Sequence, residues 1–112
     1  KKALDAVLEN SAVEPIIILQ GDHGPMAYLK PTVEGSCLKE RASILNAYYL
    51  PGLIDNPVYA TITPVNSFRL VLSKYFGMDF ALLEDRVFFS RSDGIFQFTD
   101  VTQWSQSSCS AP

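Results

Sequence analysis

The spacing of apolar residues divides the chain into a small set of elements. Ala3, Leu4, Val7 and Leu8 recur at helical spacing and predict a short amphipathic helix over residues 3–9, stopped by Asn10 and Ser11. Ile16 to Gln20 is an apolar run without alternation. It predicts a short strand buried on both faces, as the strands of parallel sheets are. Helix followed by buried strand reads as half of a β-α-β unit. From Gly24 to Lys39 there is no period, and Gly24, Pro25, Pro31 and Gly35 interrupt the chain, which predicts a long loop. Long loops inside compact domains are often functional. The segment "SILNAYYLPG", Ser43–Gly52, predicts a second strand ended by Pro51 and Gly52, and Asn56-Pro57 marks a turn.

The clearest helix is "TPVNSFRLVLSKYFG". Thr63 suits the N-cap, Pro64 the first helical position and Gly77 the C-terminal cap. Val65, Phe68, Leu72 and Tyr75 form the expected core stripe, widened by Val71 and Phe76, with Arg69 and Lys74 off it towards solvent. "DRVFFS" and "IFQFTDV" predict two strands around "RSDG", where Asp93-Gly94 is a hairpin turn signal. Residues 103–112 are polar and serine-rich and are expected to fray as a tail behind a domain of residues 1–102. The element order predicts an α/β fold with flanking helices and a C-terminal antiparallel hairpin.

A length of 112 residues suits one domain, and 47% apolar with 19% charged residues is ordinary for a globular protein. The net charge of −3 and the scattered basic residues give no support to nucleic-acid binding. No apolar run approaches the roughly 18 residues of a membrane span, so direct membrane insertion by this chain is not expected. The start, "KKALDAVLEN", lacks the apolar core of a signal peptide, and the chain begins as an excised piece would. Cys37 and Cys109 match no zinc spacing. They are either two free thiols or one disulfide of an oxidising compartment, a choice that their Cα separation decides.

One stretch carries candidate chemistry. In "PIIILQGDHGP" a strand runs into Asp22 and His23, the only histidine, between Gly21 and Gly24. Ligands of open α/β sheets sit beyond the carboxyl ends of strands. A carboxylate oxygen and a neutral imidazole nitrogen together suit Zn²⁺ or Mn²⁺, and flanking glycines let adjacent side chains converge. A hydrogen-bonded Asp–His pair is the plainer alternative. A catalytic zinc takes about three protein ligands, and no second acidic cluster stands at a strand end, so the chain is expected to hold part of a site. Thr61, Thr63, Ser67 and Ser90 have no adjacent base and are not nucleophile candidates. Asn46 reads as a satisfied sheet-edge group. Tyr48, Tyr49, Phe88, Phe89, Phe96 and Phe98 read as strand core or cross-strand pairs.

"PIIILQGDHGP" resembles the late metal-binding motif of the sulfatase-like branch of the alkaline phosphatase superfamily. Downstream, "ERASILNAYYLPG", "TITPVNSFRLVLSKYFG" and "LLEDRVFFS" resemble the C-terminal part of bacterial membrane-anchored members, which include phosphoglycerol transferases and lipoteichoic acid synthase. The resemblance covers roughly residues 3–101 and implies part of an alkaline-phosphatase-like sheet. It implies that Asp22 and His23 are ligands of a divalent ion (Mn²⁺, Zn²⁺, Ca²⁺ or Mg²⁺). An upstream nucleophile with no counterpart here would attack a phosphate or sulfate ester. It also implies that the chain pairs with the remainder of a parent domain on the extracytoplasmic face of a bacterial membrane. The alternative is a non-catalytic assembly or ligand-binding module, dimerising through an exposed sheet edge.

Overall fold

The computed structural model of the chain describes residues 1–91, 93–106 and 109. It contains, in order, α1 (Lys2–Asn10), β1 (Ile17–Gln20), α2 (Leu38–Ala42), β2 (Asn46–Tyr49), α3 (Pro64–Phe76), β3 (Phe88–Arg91), β4 (Gly94–Asp100) and α4 (Thr102–Gln106). Helices and strands are mixed, as an α/β chain requires. The strands pair as two separate two-stranded antiparallel sheets, β1 with β2 and β3 with β4. α1 ends where its stop residues act: the Asn10 amide donates to Ala6 O at 2.7 Å and the Ser11 hydroxyl to Val7 O at 2.6 Å.

The parallel β-α-β reading of β1 is corrected. β1 and β2 run antiparallel with Ile17 opposite Tyr49 and Gln20 opposite Asn46. An apolar run records that a strand is covered, and carries no information on its partner's direction. The direction is set by the returning loop, in which Gly21 N–H donates to Leu45 O at 2.8 Å and extends the pairing beyond the ladder. β1 is half-buried apart from the exposed Leu19, so burial on both faces is not seen within this chain. Asn46 is satisfied as expected, its Oδ1 accepting from Gln20 Nε2 at 3.0 Å. The expected Gly24–Lys39 loop stops short of Lys39, because α2 begins at Leu38. Cys37 is its N-cap, with Sγ accepting from Glu40 N–H. The second strand is correspondingly shorter than Ser43–Gly52.

α3 keeps its predicted ends. Pro64 opens it, and Gly77 closes it in the left-handed region at φ 64°, its N–H donating to Leu72 O. That conformation suits glycine. The predicted core stripe is right only in part: Val71 is buried and Tyr75 packs on the core, but Val65, Phe68 and Phe76 do not. The buried residues are Asn66, Ser67, Leu70 and Val71, whereas Val65, Phe68 and Phe76 are more than half exposed. Helical spacing identifies which residues share a face but not which face meets the rest of the chain. Leu70 and Val71 form the core with Ile62, and Ile16, Ile18, Tyr48, Leu50, Val58, Tyr59 and Tyr75 pack around it. Tyr48 also hydrogen-bonds Ser67 Oγ, tying β2 to the helix.

Thr63 occupies the N-cap, yet its side chain does not cap. Its hydroxyl donates to Asp85 Oδ1 at 2.6 Å and its N–H to the same oxygen at 2.8 Å. Asn66, which is fully buried, donates to Asp85 Oδ1 and to Leu83 O, both at 2.8 Å, while its own Oδ1 accepts from Leu83 N–H at 2.9 Å. Tyr59 O–H donates to Asp85 Oδ2 at 2.5 Å. This knot holds residues 83–85 against the start of α3. Arg69, expected in solvent, continues the attachment by donating to Ala81 O at 2.7 Å and lying over the Phe80 ring.

The hairpin forms where the Asp93-Gly94 signal places it, with a register irregularity between Ser90 and Arg91. The tail expected to fray from residue 103 begins as α4, which packs on α2; residues 107, 108 and 110–112 lie outside the described residues. Val101, buried at the end of β4, donates its N–H to Val87 O at 2.8 Å. The cysteine alternatives resolve as a Cys37–Cys109 disulfide with a Cα separation of 5.3 Å, inside the range such bonds need.

The Asp85 knot predicts an acid-dependent stability. Burial opposes ionisation of Asp85, but hydrogen bonds from the Thr63 hydroxyl, Tyr59, the Thr63 amide and Asn66 outweigh it and hold the carboxyl below its ordinary range. Its stabilisation is therefore complete above the unfolded value of about pH 4 and is lost as pH falls through the lower folded value. Asp85→Ala should lower stability by about 1–3 kcal/mol near neutrality, because buried donors lose their acceptor. It should also remove that part of the acid slope, as urea unfolding from pH 7 to pH 2 would read.

Candidate functional site

Asp22 and His23 emerge from the end of β1 and are adjacent in space as well as in sequence. His23 Nδ1 lies 2.8 Å from Gly24 O, and Nε2 lies 3.6 Å from Asp22 Oδ2. A carbonyl oxygen only accepts, so Nδ1 carries the hydrogen. In the neutral ring the lone pair is then on Nε2, the nitrogen nearest the carboxylate. Both side chains are accessible, with Asp22 88% and His23 41% exposed.

The backbone under the pair is held by Gly24. Its N–H donates to Arg41 O at 2.8 Å, and its own carbonyl accepts from Arg41 Nη1 at 3.3 Å as well as from His23. A Cβ on Gly24 would collide with the carbonyl oxygens of Glu40 and Ser43. Glycine is therefore required by a close approach of two backbones. The last turn of α2 thus acts as a shelf for the Asp22–His23 turn. α2 is in turn fixed at its start by the Cys37 disulfide and along its side by α4.

The donor set fits two positions of a metal site. A nitrogen and an oxygen each about 2.0–2.2 Å from one tetrahedral ion are about 3.4 Å apart, against the 3.6 Å observed here. The Nδ1–H bond to a backbone carbonyl is the outer contact that orients metal-binding imidazoles. Among the described residues no three or more His, Cys, Asp or Glu side chains gather into a metal-sized cluster. By itself the pair would make only part of a ligand set.

Asp22 and His23 open onto a concavity of about 1020 Å³. It is bounded by α2, the segment before α3 and residues 83–89. Charges on its wall are unevenly matched. Arg86 lies 2.7 Å from Glu84 and 3.4 Å from Asp100, and Asp85 is enclosed by its donors. Thr61 and Thr63 line the concavity, and the Thr63 hydroxyl donates to Asp85 Oδ1. Sequence reasoning missed Arg41 because a five-residue helix inside a loop has too few turns to show a period.

Gly24→Ala should destabilise the chain by about 1–3 kcal/mol, the cost of forcing a methyl into a closed contact, and should shift the His23 ring resonances. Gly35→Ala is the control, since the Cβ there meets chiefly the flexible Lys30 side chain. Urea unfolding and proton NMR of the single imidazole read both; equal behaviour of the two variants would contradict the shelf. In comparisons with known proteins, no family model, no curated protein and no solved structure matches the chain.

Proposed function

We propose that the chain is the C-terminal part of a metal-dependent hydrolase or transferase of the sulfatase-like branch of the alkaline phosphatase superfamily, acting on phosphate or sulfate esters. Asp22 and His23 would supply late ligands to a divalent ion. The observation that carries this reading is the convergence of His23 Nε2 and Asp22 Oδ2 to 3.6 Å, with Nδ1 occupied by Gly24 O. A divalent ion in such a site neutralises charge developing on the ester oxygens and activates a nucleophile. This chain's residues contribute orientation: Gly24 O selects the tautomer, α2 fixes the turn, and Asp22 adds negative charge beside the ring nitrogen. The nucleophile and the other ligands would come from the remainder of the parent domain. A mixed nitrogen and oxygen set favours Mn²⁺ or Zn²⁺ over Ca²⁺ or Mg²⁺.

The surface of the chain supports a larger parent. Its radius of gyration is 17.0 Å, against about 13 Å for a compact chain of this length. Its accessible area is 8387 Å², against about 6,100 Å² for a folded monomer of this mass. A location on the extracytoplasmic face of a bacterial membrane is supported by the Cys37–Cys109 disulfide, a bond that persists in oxidising compartments. No described helix is long and apolar enough to cross a membrane; anchoring would belong to the parent.

Calorimetric titration of the chain with Mn²⁺ and Zn²⁺ tests the ligand pair. Weak saturable binding is expected, reduced by about tenfold or more in His23→Ala and in Asp22→Ala. Absence of binding to the wild type, or equal binding by the variants, would refute the pair as ligands within this chain.

A second reading, self-association as an assembly module, is favoured by β4, where Ile95, Phe96 and Phe98 are all more than half exposed on a strand of a two-stranded sheet. Light scattering after size exclusion decides it. A concentration-dependent dimer weakened by Phe96→Ser is expected on that reading, and a monomer at all concentrations rejects it.

A further inference from the structure

Arg41 stands in the last turn of α2, between Glu40 and the C-cap Ser43. The neighbouring acid does not pair with it, because Glu40 Oε2 accepts the Tyr28 N–H at 3.1 Å. Among the described residues no carboxylate lies within ion-pair distance of Arg41, whereas Arg86 has two and Arg91 one. Arg41 as a whole is half-buried, and one guanidinium nitrogen, Nη1, donates to Gly24 O at 3.3 Å. A guanidinium carries five N–H donors in a planar fork, so among the described residues most of its donors have no protein acceptor. The acceptor it does use is the carbonyl that also receives His23 Nδ1–H. Arg41, Asp22 and His23 therefore share one concavity and one backbone oxygen.

A half-buried cation without a counter-ion is poorly placed for stability alone. Its unfilled donors suit an anion, and a planar fork matches two oxygens of a tetrahedral oxyanion better than a point charge does. Lys39, also on the concavity wall and outside every described ion pair, adds a second positive charge to the same side.

We propose that Arg41 binds the phosphate or sulfate group of the substrate, gripping two non-bridging oxygens beside the Asp22–His23 pair. The assignment rests on the ester-directed function above and adds the group that recognises the anion. Through Gly24 O the same side chain also touches the carbonyl that orients His23, so anion capture and ligand orientation meet at one residue.

The test is titration of the chain with inorganic phosphate, by calorimetry, in metal-free buffer and again with Mg²⁺. The proteins are the wild type, Arg41→Gln, Arg41→Lys, His23→Ala and Gly35→Ala. Saturable phosphate binding is expected in the wild type without metal, weakened about tenfold or more in Arg41→Gln and less in Arg41→Lys, which keeps the charge and loses the fork. Gly35→Ala, away from the concavity, should leave metal-free phosphate binding unchanged, and His23→Ala should lose the part of binding that depends on metal. Hydrogen exchange at the Gly24 amide guards against a merely structural effect, because that amide bonds to the backbone of Arg41 and not to its side chain. Its protection should survive in Arg41→Gln. If it does not, Arg41→Lys decides, since lysine can still donate to Gly24 O. No wild-type phosphate binding, or equal binding by the folded Arg41 variants, overturns the proposal. Loss of metal binding with phosphate binding intact would fault the ligand pair and leave Arg41 standing, so the two readings fail separately.

Discussion

The structure depends on one half-buried carboxylate. Asp85 gathers the Thr63 hydroxyl and amide, the Asn66 amide and the Tyr59 hydroxyl around its two oxygens. The apolar core beside it is small, with Ile62, Leu70 and Val71 as its buried members. So small a core gives little directional control over an irregular segment. The knot supplies it, because Asn66 brackets Leu83 by donating to its carbonyl and accepting from its amide. Residues 83–87 are thereby held as one wall of the concavity, and Val87 passes the placement to the end of β4 through Val101 N–H and to α4 through the Thr102 hydroxyl.

The opposite wall is built differently. Gly24 permits the Asp22–His23 turn to rest on the last carbonyls of α2, and the disulfide at Cys37 anchors the start of that helix. Hydrogen bonds from both ring and guanidinium end on one oxygen, Gly24 O. The His23 ring is thus oriented by a protein contact, which would reduce the ordering cost of binding an ion. Exposure of both side chains leaves room for the further ligands that the proposed parent domain would contribute.

The exposed apolar residues of α3 belong to the same account. Val65, Phe68 and Phe76 follow the helical period, and the polar residues Asn66 and Ser67 lie buried on the other side. A helix apolar on one face and hydrogen-bonded on the other is suited to lie between two layers. Only one layer is made by the described residues; the proposed parent would supply the other.

Local signals were legible in the sequence. The ends of α3 follow from Pro64 and Gly77, whose backbone preferences need no partner. The hairpin follows from Asp93-Gly94, and the Asp22–His23 turn after β1 follows from an apolar run meeting glycine. What required tertiary structure was every choice between partners. The direction of β2 against β1, the buried face of α3, the Cys37–Cys109 bond and the service of Thr63 to Asp85 rather than to its own helix are decided by groups outside the local element. Arg41 joins that class, since what sets it apart is that no described carboxylate pairs with it and that it donates to Gly24 O. The sequence by itself determined where the chain turns and which chemistry each turn carries, because those depend on neighbouring dihedral preferences. Only the fold decided which groups meet, because contact is set by packing between segments that the sequence keeps apart.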